Sequence, residues 1–169
     1  MATDKIELEI VTPKGIALKA SVDEVTAPSV NGEFGIMPGH LPVLAAVRTG
    51  VVTYRVGSDS KKCAIGEGFA EGGPSKLLIL TEEFIDRDGV DTISVRTELS
   101  DVQGKLDKAV QSGDPAEAEA TKKLVVRENW LAAQLELIGD APPPVMQPME
   151  DPVEEDDEQG VIPAEDTGA

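Results

Sequence analysis

Histidine and cysteine each occur once in these 169 residues, and so do tryptophan and tyrosine. A lone cysteine, Cys63, excludes an intrachain disulfide, which is consistent with a reducing compartment. The one histidine, His40, cannot assemble a zinc site of usual composition with a single distant cysteine, so no metal is expected. No nucleophile motif surrounds it either, and a structural or interface role is the expectation. Aromatic residues make up only 3% of the chain, so its core must be built from Val, Ile, Leu and Ala. Small apolar side chains suit a thin sandwich or slender helices better than a deep ligand pocket. No window approaches the roughly 20 apolar residues that a membrane-spanning helix needs. Residues 1–7 lack the apolar run of a signal peptide. Work at a membrane would require a partner to hold the chain there.

Basic residues stop early, for none follows Arg127. The whole chain carries a net charge of -17. Ten of its acids lie at Asp140 or beyond, which leaves 15 basic against 22 acidic residues in 1–139, a net of -7. Binding to nucleic acid through phosphate neutralisation is thereby disfavoured. Residues 139–169 include Pro142-Pro143-Pro144 and Glu154-Glu155-Asp156-Asp157-Glu158. Few apolar residues and dense charge of one sign cannot offset chain entropy, so this acidic, Pro-rich tail is expected to be disordered. The acidic run lacks the spaced ligands and central glycine of a calcium loop.

What is present divides by period. Over residues 4–84, Ile6, Leu8 and Ile10 alternate with Glu7 and Glu9, as Val52, Tyr54 and Val56 do with Thr53 and Arg55. That is the period of half-buried strands. The run Leu77-Leu78-Ile79-Leu80 reads as a strand covered on both faces. Turn signals fall between the strands, among them Asn31-Gly32, a pair that readily adopts the positive φ angles of a tight hairpin. Short strands spaced in this way predict a sandwich or barrel.

From residue 93 to 138 the period becomes helical. Leu99, Val102, Leu106 and Val110 form one stripe. Gly113, Asp114 and Pro115 then end one helix and start another, and Glu117 completes a capping-box pattern with Asp114. Two helices so closely joined should run antiparallel. The second carries two apolar stripes on opposite sides: Ala120, Leu124, Leu131, Leu135 and Ile138, and Val126, Trp130, Ala133 and Leu137. One stripe can meet the sister helix, and the other needs a further surface, either the β-domain or a different chain.

No pattern supplies chemistry. Gly66-Glu67-Gly68-Phe69-Ala70-Glu71-Gly72-Gly73 lacks the Gly-Lys-Ser/Thr end of a phosphate loop and leads into a strand rather than a helix N-terminus. Its glycines read as strand bends and turns. Glu82-Glu83 sits at a strand end and gives no acid–base geometry.

The stretch Gly32-Glu33-Phe34-Gly35-Ile36-Met37-Pro38-Gly39-His40-Leu41-Pro42 resembles the epsilon subunit of F-type ATP synthases. Thr49-Gly50-Val51-Val52, Gly66-Glu67-Gly68-Phe69-Ala70-Glu71 and Leu77-Leu78-Ile79-Leu80 follow in the family's order. The likeness is close over residues 6–84 and architectural over 85–138. It implies a ten-stranded β-sandwich (residues 1–88), an antiparallel regulatory helical hairpin (89–138) and a tail (139–169) without a family counterpart.

The resemblance also implies a non-catalytic rotor component of the central stalk, placed between the gamma subunit and the membrane ring of c subunits. The whole complex makes ATP from a proton or sodium gradient. Glu33 matches a position facing the c-ring, and His40 one near gamma. In the family the hairpin can extend along gamma and restrain ATP hydrolysis. Lys105, Lys108, Lys122, Lys123 and Arg127 would then meet the alpha and beta subunits of the catalytic head. Some members bind ATP through Ile or Leu-Asp, two variable residues, then Arg-Ala. Here Asp91 matches that motif but Ser94 stands where Arg is needed, so no cofactor is expected. The implied location is peripheral, on the cytoplasmic face of a bacterial inner membrane, with the stromal face of a plastid thylakoid as the alternative. A β-sandwich adaptor binding another oligomer through its hairpin is the competing reading.

Overall fold

The computed structural model describes residues 4–140. Ten strands come first: β1 (Ile6–Thr12), β2 (Gly15–Val22), β3 (Glu24–Ser29), β4 (Gly32–Ile36), β5 (Val43–Val47), β6 (Gly50–Val56), β7 (Asp59–Ile65), β8 (Gly68–Gly72), β9 (Lys76–Thr81) and β10 (Phe84–Asp86). A 3-10 turn (Arg87–Gly89) leads to helix α1 (Thr92–Ser112), a second such turn (Pro115–Glu117) and helix α2 (Ala118–Ile138).

Pairing runs β10-β7-β6-β3-β5-β8-β9-β1-β2, with β4 added on β3. Only Ser29 opposite Val47 joins β3 to β5, so the path folds there into two layers. Pro28 has no N–H to donate, and it sits opposite Glu33 near the turn end of the β3–β4 ladder, next to this narrow joint. Ile6, Leu8, Ile10, Val52, Leu77 and Ile79 are fully buried between the layers. Each lies on the inward parity of its strand, so the alternation seen in β1 and β6 sets the core directly.

Three local expectations needed correction. Leu77-Leu78-Ile79-Leu80 is covered on one face only: Leu77 and Ile79 are buried, whereas Leu80 is 48% exposed. At the β3–β4 turn, Gly32 alone takes a positive φ, of 112°. Asn31 keeps an ordinary conformation because its N–H donates to the Ser29 hydroxyl (3.2 Å), which donates in turn to the Gly32 carbonyl (2.6 Å). The Glu117 carboxylate does not reach back to the Asp114 N–H, although the Glu117 N–H donates to the Asp114 carbonyl at 3.0 Å. The carboxylate accepts instead from the Ser112 hydroxyl at 3.0 Å, while Asp114 caps its short turn through the Ala116 N–H.

Gly68 is required by close approach. A Cβ there would lie 1.9 Å from the Leu80 carbonyl oxygen, inside any allowed contact. Gly68 thus allows β8 and β9 to close, and the stretch leads into β9, a strand, as expected.

The helical hairpin has its own interior. Val95, Leu99, Val102 and Leu106 of α1 meet Leu131 and Leu135 of α2, with Leu124 and Ile138 alongside. Val110 was expected in this stripe but is 56% exposed, and Ala120 is exposed as well. At the tip α2 starts with alanines too short to cover Val110, so the periodic pattern outlasts its partner. Inside the hairpin, Glu128 is only 3% exposed. Its Oε1 accepts from the Gln103 amide at 3.1 Å, and its Oε2 has no partner among the described residues. A buried carboxylate so sparsely satisfied weakens the helix–helix seam.

Candidate functional site

The two layers of the sandwich each present an apolar row to the outside. On the first, Val51, Ala64 and Ile85 stand side by side across β6, β7 and β10. Trp130, Ala133 and Leu137 cover this row, one turn of α2 after another. The second stripe of α2 therefore packs on the β-domain of its own chain, one of the two surfaces left open by the sequence. Val126, placed in that stripe by spacing, lies beyond the sheet and is 43% exposed.

On the other layer an equivalent row runs across five strands. Ala46, Phe69, Leu80, Val11 and Ile16 are successive cross-strand partners in β5, β8, β9, β1 and β2. Nothing in the described residues covers it: Phe69 is 60% exposed and Ile16 63%. Leu44, 75% exposed, extends it at one end. Scattered exposed apolar residues are ordinary, but a contiguous row marks an interaction surface. Below the row, Lys19 and Lys76 bridge Glu7 and Glu9 at 3.3–3.7 Å, a lattice that neutralises that part of the face.

Ionic contacts join the two helices of the hairpin, and one of them, Arg127 with Glu83, also ties the hairpin to the β-domain. Arg127 donates to both oxygens of Glu98 on α1, at 2.6 and 2.9 Å, and lies 3.5 Å from Glu83 beyond β9. The Arg127 hydrogen bond holds the Glu98 carboxyl below the usual range, while burial pushes Glu83 up. The share of Glu98 is thus present at neutral pH and lost as pH falls through its lowered pKa; the burial cost of Glu83 is relieved in the same direction. Arg96 of α1 pairs with Asp140 just past α2. Trp130 also lines a cleft of 290 Å³ together with Ile16 and Glu83, so the foot of the hairpin borders the end of the uncovered row.

The residues singled out from sequence occupy separate places. Glu33 is exposed on β4, opposite Pro28. His40 lies past the far end of β4 in the loop 37–42, its Nδ1 2.6 Å from the Leu41 carbonyl oxygen. That loop is tied down by the Gly39 N–H donating to the Pro74 carbonyl at 2.8 Å. Lys105, Lys108, Lys122 and Lys123 are exposed towards the hairpin tip, and none is in an ion pair among the described residues. Arg127, grouped with them by charge, is instead held in the clamp just described. Asp91 caps α1: its Oδ1 accepts from the N–H groups of Ile93 and Ser94, and its Oδ2 from the Ser94 hydroxyl. Those bonds hold its carboxyl below the usual range and employ both oxygens in capping. Sequence reasoning did not single out Phe69, Leu80 and Ile16, though each breaks the outward-polar rule for its strand parity. The partners of Arg127 carry no local signal, since Glu98 is 29 residues away.

The chain matches the sequence pattern of the family described as ATP synthase, Delta/Epsilon chain, beta-sandwich domain over residues 5–87. It is 33% identical to the ATP synthase epsilon chain of Magnetococcus marinus, across 77% of this chain and 91% of that one. The epsilon chain of Rhodospirillum rubrum is likewise 33% identical, with 76% and 95% covered. In fold it is similar to a chain in the cryo-EM structure of the Euglena gracilis mitochondrial ATP synthase, OSCP/F1/c-ring in rotational state 1. There the TM-score is 0.67 at 20% identity, with 80% of this chain and 82% of that one covered. The ordered β-strand motifs, the two-helix arm and these relatives converge: the chain belongs to the ATP synthase epsilon chain family.

Proposed function

We propose that this chain is the epsilon-type subunit of the central stalk of an F-type ATP synthase, a mechanical part that couples ion flow to ATP synthesis and carries out no bond chemistry. The uncovered row of Ala46, Phe69, Leu80, Val11 and Ile16 carries this reading. One layer of the sandwich is sealed by its own hairpin, and the other keeps an equivalent row for a neighbour. In the family the neighbour of such a domain is the gamma subunit. Residues 1–88 serve as the docking unit, with Glu33 directed at the polar loops of the c-ring and His40 near gamma. A rim charge such as Glu33 guides register more than it supplies affinity.

Residues 89–138 serve as the regulatory arm. In the folded position the arm spends Trp130 on the sandwich and Arg127 on Glu98 and Glu83. Release from the sandwich would break the Arg127–Glu83 contact, and parting of α1 from α2 would free Arg127 from Glu98 and turn it, with Lys105, Lys108, Lys122 and Lys123, towards acidic loops of the alpha and beta subunits. No helix among the described residues is long and apolar enough to cross a membrane. Attachment to the membrane is through the complex, on the cytoplasmic face of a bacterial inner membrane. The acidic tail lies outside the described residues, apart from Gly139 and Asp140.

Co-purification tests the proposal. The tagged full chain, expressed in its own cells, should bring down gamma, c and the catalytic subunits from washed membranes. Recovery of another oligomer in their place would favour the adaptor reading.

A further inference from the structure

Resting on the reading of the outer row as the docking face, we propose that its partner presents an apolar ridge bordered by lysine or arginine, received by Glu67, Glu71 and Glu82. In β8, strand alternation puts Phe69 and Glu71 on the outward face, and Glu67, in the bend just before the strand, is exposed beside them. Glu82 follows Leu80 by two residues, in the bend just past β9, and is exposed as well. The Glu82 N–H donates to the Glu67 carbonyl at 3.2 Å, so these two acidic residues face each other just beyond the Gly68–Thr81 end of the β8–β9 pair. Glu67, Phe69, Leu80 and Glu82 line one shallow groove of 300 Å³.

Like charges placed opposite one another destabilise a sheet unless something compensates them. The same face shows what compensation looks like, since Glu7 and Glu9 are each bridged by Lys19 and Lys76. Glu67, Glu71 and Glu82 are exposed and in no ion pair among the described residues. The face therefore divides into a neutralised patch and an acidic margin pressed against the apolar row. A partner that covers Phe69 and Leu80 must desolvate that margin, and an uncompensated carboxylate at its edge would oppose docking. Cations on the partner remove the penalty and draw the two surfaces together before contact.

The test uses the full chain and the purified gamma subunit of the same complex, with association followed by stopped flow from low to high salt. The triple variant Glu67→Gln, Glu71→Gln, Glu82→Gln keeps side-chain size at three exposed positions. Its association rate at low salt should fall by about tenfold and lose most of its salt dependence, as for a steered encounter deprived of its charges. An association rate and salt slope equal to those of the unaltered chain would overturn the inference while leaving the docking reading intact. Failure of the unaltered chain to bind gamma would overturn both.

Discussion

Replacing Phe69 and Leu80 together by aspartate is expected to weaken binding to gamma by about a thousandfold while the sandwich stays folded. Full burial of a Phe or Leu side chain is worth about 1.5–3 kcal/mol. The two side chains are 60% and 48% exposed, so roughly half of that gain remains to be made on docking, about 2 kcal/mol for the pair. Two new carboxylates forced under the partner add a desolvation cost of at least about 1 kcal/mol each. The total is about 4 kcal/mol, or three factors of ten in Kd. Both side chains point away from the core, so unfolding by denaturant should show a small loss of stability. A loss of affinity under tenfold, with the fold intact, would mean that the row is not the docking surface.

The second large effect concerns the arm. Trp130→Ala should detach the hairpin from the sandwich without unfolding either part. Trp130 is 6% exposed, and truncating so large a buried side chain costs about 3–5 kcal/mol. That loss falls on the cover over Val51, Ala64 and Ile85, because the α1–α2 seam is made by other residues. Spin labels at Lys61 and Glu136, which line one cleft between the arm and the sandwich, should report a short distance in the unaltered chain and a broad distribution in the variant. Only the introduced cysteines would be labelled, because Cys63 is buried and its thiol is pushed up to about 12. In the assembled enzyme, Trp130→Ala should lower ATP hydrolysis by raising the population of the extended arm. Truncation after Asp88 should raise it. Two variants of one arm moving activity in opposite directions would not follow from simple damage; equal activities in both would remove the inhibitory role.

The sequence made the sandwich and the hairpin legible for a physical reason: the inward residues of β1 and β6 and the facing stripes of α1 and α2 obey their periods. The two stripes on α2 even anticipated two covered surfaces. Legibility failed where outward positions are also apolar. Leu78 and Leu80 made β9 look covered on both faces, because an exposed apolar row and a core row are written with the same residues. It failed again at the hairpin tip, where Val110 and Ala120 continue a pattern that no opposing side chain completes. The clamp of Arg127 on Glu98 and Glu83 joins three elements across the fold, and no spacing rule links them. The burial of Glu128 has no local signal either, since it comes from the residue's place in the helix seam.

Crosslinking in intact membranes tests the central claim most directly. Cysteine introduced at Glu33 should form a product with c, and cysteine at His40 a product with gamma, as the proposed position of the sandwich between ring and shaft requires. Products with neither subunit, in a complex that still contains this chain, would contradict the account.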